Sequence, residues 1–197
     1  MAYACLIAGW RWWRSEAASL GTQRRWPCAK SKGVAPTCFD FAQHERTSAQ
    51  YPVKVDFYQL AGAPLVQVIA SIAGKLVGVG ERLLVVADDE GLLGRLDRLL
   101  WDEGEASFLA HGLAGSGDDQ RQPVLLSTTP DPANGARNLL VADGQWREAA
   151  LTFDRAFHLF DEEHLGEARQ AWKLLSGREG VERRYWARED ERWVNKT

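Results

Sequence analysis

Two cations and an indole lie at helical spacing near the end of this 197-residue chain. The stretch Ala168-Arg169-Gln170-Ala171-Trp172-Lys173 is predicted to be helical. Arg169 and Lys173 then lie one turn apart on the helix edge, beside Trp172. Two positive side chains next to an aromatic wall predict a docking site for an acidic peptide that ends in an aromatic residue. The alternative is that Trp172 is a core residue, since it shares one helical stripe with Leu165, Ala168 and Leu175.

Charge is distributed unevenly along the chain. The whole chain has a formal net charge of −3, which argues against a dedicated nucleic-acid-binding protein. Residues 53–163 contain 9 Lys and Arg against 18 Asp and Glu, whereas residues 164–197 contain 8 against 6. We therefore expect a positive patch in the C-terminal segment that attracts an acidic partner. A solvated charged tail is the alternative.

Residues 1–52 differ from the rest of the chain because they show no sustained helical or strand period. All three cysteines lie there, an odd number without Cys-x-x-Cys spacing, so neither a disulfide framework nor a metal site is predicted. The apolar start is interrupted by Arg11 too early for a signal peptide or a membrane span, which predicts a cytoplasmic protein. We expect a disordered extension, or translated sequence upstream of a real start near Val53. A membrane-surface amphipathic segment around residues 11–14 is the less favoured alternative.

From Val53 onward, strand and helix patterns alternate. The predicted strands cover residues 55–60, 82–87, 107–110, 123–127, 138–142 and 152–160, with a further aromatic strand at 183–186. The predicted helices cover residues 64–77, a segment capped by Asp88 with Leu92, Leu96, Leu99 and Leu100 facing inward, and a segment opened by Asp161. This order predicts an α/β fold over residues 53–197, a single three-layer, Rossmann-like domain with a mostly parallel central sheet.

No complete catalytic constellation occurs in the sequence. The acidic strand end Asp88-Asp89-Glu90 could hold Mg²⁺ in an ATPase, but no GxxxxGK[ST] loop accompanies it. The glycines at 112–117 lack the GxGxxG spacing, and Asp118 would repel a pyrophosphate. The histidines show no metal-ligand spacing. The sequence therefore predicts no catalytic residue, no cofactor, no metal and no intrinsic activity.

A second indole, Trp101, is predicted to end the helix that begins near residue 89, and Phe108 follows it. If this helix and the helix of Trp172 are neighbours on one face of the sheet, the two indoles and Phe108 form an apolar slot. Arg169 and Lys173 would then flank this slot with positive charge.

Several short motifs, in this order along the chain, resemble one family. From Val53 to Thr197 the chain resembles the chi subunit of bacterial DNA polymerase III holoenzyme, through Leu100-Trp101, Ser107-Phe108, His111-Gly112-Leu113-Ala114-Gly115, Asn134-Gly135-Ala136-Arg137 and Ala168-Arg169-x-x-Trp172-Lys173. The ending with Tyr185-Trp186 and Arg192-Trp193 looks like the alphaproteobacterial variant. Residues 1–52 match nothing in the family.

The resemblance implies a non-catalytic accessory subunit of the clamp-loader assembly, associated with the replisome. Such a subunit holds the acidic, phenylalanine-ended C-terminal tail of single-stranded DNA-binding protein. Clamp-loader subunits are further implied partners, psi being the weaker inference, and DNA is contacted only indirectly. Matched to the family motifs, Trp101 and Phe108 would line the pocket for the tail, and Trp172 would replace a family tyrosine, losing its hydroxyl donor. Arg169 and Lys173 would bind the carboxylates of the tail.

Two other classes of function stay open at the level of sequence. One is a nucleotide-binding enzyme on the same α/β scaffold, which the fold permits but no motif supports. The other is a module that binds single-stranded DNA directly through the basic C-terminal segment.

Overall fold

The computed structural model of the protein describes residues 52–102, 109–190 and 192–197. In these ranges eight strands form one sheet, and three helices pack against it. The strands are β1 (Val53–Gln59), β2 (Leu83–Val86), β3 (His111–Leu113), β4 (Val124–Ser127), β5 (Asn138–Val141), β6 (Arg155–Phe160), β7 (Val181–Glu189) and β8 (Arg192–Asn195). The helices are α1 (Leu65–Gly78), α2 (Glu90–Asp102) and α3 (Leu165–Leu175).

The strand order across the sheet is β3-β4-β2-β5-β6-β1-β7-β8. All neighbouring strands run parallel except β7 and β8, which are antiparallel. The α/β class and the mostly parallel sheet predicted from the sequence are thus confirmed. None of the helices in the described ranges is both long and apolar enough to cross a membrane. The predicted extension lies almost wholly outside the described residues and stays a prediction.

The helices are divided between the two faces of the sheet. Along β2, Leu83 and Val85 belong to a core cluster with residues of α1 and α2, whereas Leu84 and Val86 belong to a cluster with residues of α3. Since successive side chains of a strand point to opposite faces, α1 and α2 cover one face and α3 covers the other. This division decides which predicted site residues can meet.

Three local predictions differ from the structure around α2. The cap is Asp89 rather than Asp88, because the Asp89 carboxylate accepts the backbone N–H of Gly91 at 2.8 Å. The buried stripe of α2 consists of Leu93, Leu96 and Leu100. It leaves Leu99 47% exposed, against the prediction. The strand predicted at residues 107–110 is found at β3, and residues 103–108 lie outside the described ranges.

A buried carboxylate joins the three strands β6, β1 and β7. Asp56 of β1 has no exposed surface, and its oxygens lie 2.6 Å from Arg155 Nε and 2.9 Å from Arg184 Nε. The indole N–H of Trp186 also donates to it, at 2.9 Å. A buried charge is tolerated only when it is paired and hydrogen-bonded, and these contacts meet that requirement.

Candidate functional site

Helix α3 and the carboxyl ends of β1 and β6 border a cavity of about 390 Å³, which we call the α3 pocket. It is lined by Phe57, Gln59, Phe160, Leu165, Ala168, Arg169, Trp172, Tyr185, Lys196 and Thr197. The volume is within the range of small-ligand sites, roughly 300–1,000 Å³. The carboxyl ends of parallel strands are also where α/β folds commonly bind ligands.

Aromatic rings from four elements, β1, β6, β7 and α3, line the α3 pocket, and three of these rings contact one another directly. Phe57 of β1 lies directly beside Tyr185 of β7 in the sheet register. Trp172 of α3 meets both rings edge-to-face, with centroid separations of 5.2 Å to Phe57 and 6.3 Å to Tyr185. Edge-to-face packing is a favourable aromatic geometry, so the three rings hold one another in place.

The Trp172 indole is held on α3 by a cation from β7. The Arg183 guanidinium lies over the indole ring, 4.3 Å from its centroid. The same group donates a hydrogen bond to the Trp172 carbonyl at 2.8 Å. Trp172 is half-buried rather than a fully enclosed core residue, and it presents a pre-positioned aromatic wall to the pocket.

The charged side chains that line the α3 pocket are both cations. Arg169 of α3 and Lys196, which follows β8, contribute to the lining, and no carboxylate side chain does so among the described residues. The Tyr185 hydroxyl donates to the Gln59 side-chain oxygen at 2.5 Å, so part of the polar lining is already paired. An apolar cavity with a cationic lining is suited to a ligand that combines an aromatic group with a carboxylate.

The structure brings together only some of the predicted site residues. Arg169 and Trp172 line the same pocket, while Lys173 is exposed and is not part of the lining. Trp101 ends α2, is 56% exposed and packs against His111 with ring centroids 4.8 Å apart. Phe108 lies outside the described residues.

The slot that Trp101 and Trp172 were expected to share is not formed. Helix α2 buries Leu93, Leu96 and Leu100 on one face of the sheet, whereas α3 buries Ala168, Ala171 and Leu175 on the other. Spacing along a helix indicates which residues share one side of it, but it carries no information about which face of the sheet that helix covers.

The sequence did not reveal the part of the lining that the strands and the C-terminal segment contribute. These residues are Phe57, Gln59, Phe160, Tyr185, Lys196 and Thr197. The period of two in β7 was a usable signal, because it places Arg183 and Tyr185 on one face and Arg184 and Trp186 on the other. Strand β8 has no such alternation of buried and exposed residues, and the sequence did not predict it.

The acidic strand end considered for Mg²⁺ is paired internally. The Arg147 guanidinium lies 2.6 Å from Asp88 and binds Asp143 in the same way. Burial opposes ionisation of Asp143 and is the largest single effect on this carboxyl. The hydrogen bonds from Arg147 and from the backbone N–H groups of Asp88 and Gln145, together with the charge of Arg147, outweigh it and hold the pKa of Asp143 below its usual range. Within the described ranges, no group of three or more His, Cys, Asp or Glu residues is arranged to hold a metal ion.

Two comparisons relate the chain to known proteins. The family model described as "DNA polymerase III chi subunit, HolC" matches residues 53–182. The chain is also 32% identical over 76 residues to DNA polymerase III subunit chi of Escherichia coli (strain K12), a stretch that covers 39% of this chain and 52% of that protein. The chain thus spans about half the length of this curated relative. Since the family model covers well over half of the sequence, the chain belongs to the DNA polymerase III chi subunit family.

Proposed function

We propose that the protein is a non-catalytic accessory subunit of a DNA polymerase III clamp-loader assembly in DNA replication. In this role it links the holoenzyme to single-stranded DNA-binding protein by holding its acidic, phenylalanine-ended C-terminal tail in the α3 pocket. The observation that carries the proposal is an aromatic cavity whose charged side chains, Arg169 and Lys196, are both cations. Family membership supports the replication role and, with it, a cytoplasmic, replisome-associated protein with other clamp-loader subunits, psi among the candidates, as partners.

The tail would bind with its terminal side chain inside the pocket. The terminal ring would pack against Trp172, Phe57 and Tyr185, which already stand edge-to-face. Arg169 would donate charge-assisted hydrogen bonds to a carboxylate. Lys173 lies one helical turn from Arg169, where it would reach acidic residues that precede the terminus.

The arrangement of layers is consistent with this placement. We infer that the sheet, with α1 and α2 on one face and α3 on the other, forms a three-layer, Rossmann-like domain. The proposed tail site then lies beside the carboxyl ends of its parallel strands.

Direct binding of bare single-stranded DNA is less well supported. Two of the cations in β7 are engaged within the protein, Arg183 with Trp172 and Arg184 with Asp56. They are therefore not free to bind phosphates, which such a module needs in number.

The proposal is tested by titrating a fluorescent peptide of the tail sequence against the protein. A contact of this size should have a dissociation constant on the order of micromolar, about −8 kcal/mol. We expect Arg169→Ala to weaken binding by about 1–3 kcal/mol, because a charge-assisted hydrogen bond to a carboxylate is lost. Trp172→Ala should cost at least as much, because an aromatic wall of the pocket is removed.

The matched control is Trp101→Ala, which removes an indole from the opposite face of the sheet and should leave the affinity unchanged. A peptide without the terminal phenylalanine should not bind measurably. Equal affinities of wild type, Arg169→Ala and Trp172→Ala would show that the tail does not occupy the α3 pocket.

A further inference from the structure

The C-terminal segment supplies part of the α3 pocket. Lys196 and Thr197 line the cavity but lie beyond residue 182, where the match to the family model ends. The backbone N–H of Lys196 donates to the Tyr185 carbonyl, and the Tyr185 N–H donates to the Thr197 hydroxyl oxygen, both at 2.8 Å. The segment is therefore fixed directly beside one of the aromatic rings of the pocket.

Strand alternation directs Lys196 toward the α3 side of the sheet. Trp193 of β8 meets Tyr58 edge-to-face at 4.9 Å, and Tyr58 belongs to the core cluster of α1 and α2. Lys196 stands three positions later, an odd number, so its side chain points to the opposite face. Its place in the lining of the pocket follows from this register.

We propose that Lys196 is a second carboxylate-binding residue of the α3 pocket and acts together with Arg169 on the C-terminal end of the bound acidic peptide. The inference rests on the proposed function and extends it to a segment outside the family match. An acidic peptide presents a terminal carboxylate and side-chain carboxylates close together, and two cations in the lining can bind them at the same time.

Glu189 competes for the same ammonium group. Lys196 Nζ forms an ion pair with the Glu189 carboxylate, and the two side chains are 42% and 52% exposed. An exposed pair of this kind contributes only about 0–1 kcal/mol. Lys196 can therefore exchange Glu189 for a carboxylate of the ligand at little cost. Because Glu189 competes with the ligand for Lys196, it does not increase the affinity for the peptide.

The experiment uses the full chain and the tail peptide of single-stranded DNA-binding protein at two salt concentrations. We expect Lys196→Met to weaken binding about 5- to 20-fold, with a smaller dependence on salt, because one charged contact is lost while the aliphatic stem is kept. Lys196→Arg should retain most of the affinity. Lys196→Gln is a second neutral variant, and melting temperatures check that the fold is kept.

Two controls separate ligand binding from other effects. Lys75→Met removes the same charge from the exposed last turn of α1, on the other face of the sheet, and should bind like wild type. Glu189→Gln breaks the same ion pair from its other end and should bind as tightly as wild type, or more tightly.

The outcomes distinguish this inference from the proposed function. If Lys196→Met binds like wild type while Arg169→Met is weakened, the inference is wrong and the proposed function stands. If Glu189→Gln weakens binding as much as Lys196→Met, or Lys75→Met does so, the effect is structural or a general charge effect, and the inference is overturned. If the wild type does not bind the peptide, both are wrong.

Discussion

His158 is completely buried, and neither of its ring nitrogens has a hydrogen-bond partner among the described residues. The ring lies between Phe57, Trp146 and Phe160, each with a centroid separation of 5.3–5.7 Å. Burial lowers the pKa of His158 from 6.5 to about 4, because the charged imidazolium would lose its hydration. His158 is therefore a neutral core residue, and it supports two rings that line the α3 pocket.

This residue should make the stability of the protein depend on pH. The unfolded chain binds a proton at His158 below about pH 6.5, whereas the folded protein does so only near pH 4, so stability falls as the pH is lowered through this window. The loss between pH 7 and pH 5 should be about 2 kcal/mol. Urea unfolding of wild type and His158→Phe at both pH values measures it, and a loss of the same size in the variant would contradict the prediction.

Among the individual residues of the candidate site, the sequence predicted only some. The spacing of Arg169 and Trp172 was sufficient to place both residues together, because both lie on one helix turn. Lys196 could not be predicted from the sequence, since its position depends on the pairing of β8 with β7. Trp101 was predicted to belong to the site because it matches a family motif and because its helix was expected to lie beside the helix of Trp172, which no local pattern could test.

At the level of the elements, a single side chain of β1 links this strand to both of its neighbours in the sheet. Asp56 binds Arg155 of β6 and Arg184 of β7, so removal of its carboxylate leaves both cations without their buried partner. Breaking a buried pair commonly costs about 3–5 kcal/mol, and the partial exposure of the two arginines argues for the lower end of this range. We therefore expect Asp56→Ala to lower the free energy of unfolding by roughly 3 kcal/mol, measured by urea denaturation at neutral pH.

Asp56→Asn is the matched variant because it keeps the volume and one acceptor oxygen, and it should lose less stability than Asp56→Ala. A loss below about 1 kcal/mol in Asp56→Ala would show that the cluster behaves like an exposed ion pair.

Helices and buried strands were the elements that the sequence predicted best. The runs at β2, β4 and β5 are buried along their whole length, and α1 follows a clear helical period. The strands β3 and β8 were not predicted at their observed positions because, unlike β2, β4 and β5, they do not present a run of buried apolar residues. The face chosen by each helix depends on the order of strands, which local patterns do not encode.

For the molecule as a whole, we predict that residues 53–197 fold without residues 1–52. β1 and the match to the family model both begin at Val53. The described core consists of two continuous clusters on the faces of one sheet. Deletion of residues 1–52 should leave the melting temperature and binding of the tail peptide nearly unchanged. A truncated protein without a cooperative thermal transition would show that the first segment is part of the folding unit.

The position of β1 in the sheet also governs how the chain can fold during synthesis. β1 is the first described strand of the chain, yet it lies between β6 and β7, and Asp56 is 99 residues from Arg155 and 130 from Trp186. At a translation rate of about 5–20 residues per second, roughly 5–20 seconds pass before its first partner strand is made. Throughout this time both edges of β1 lack their partner strands. Contacts between residues this distant in sequence also form slowly. We therefore expect the nascent chain to depend on chaperones, because β1, the first of the described strands, is among the last to gain both of its partner strands.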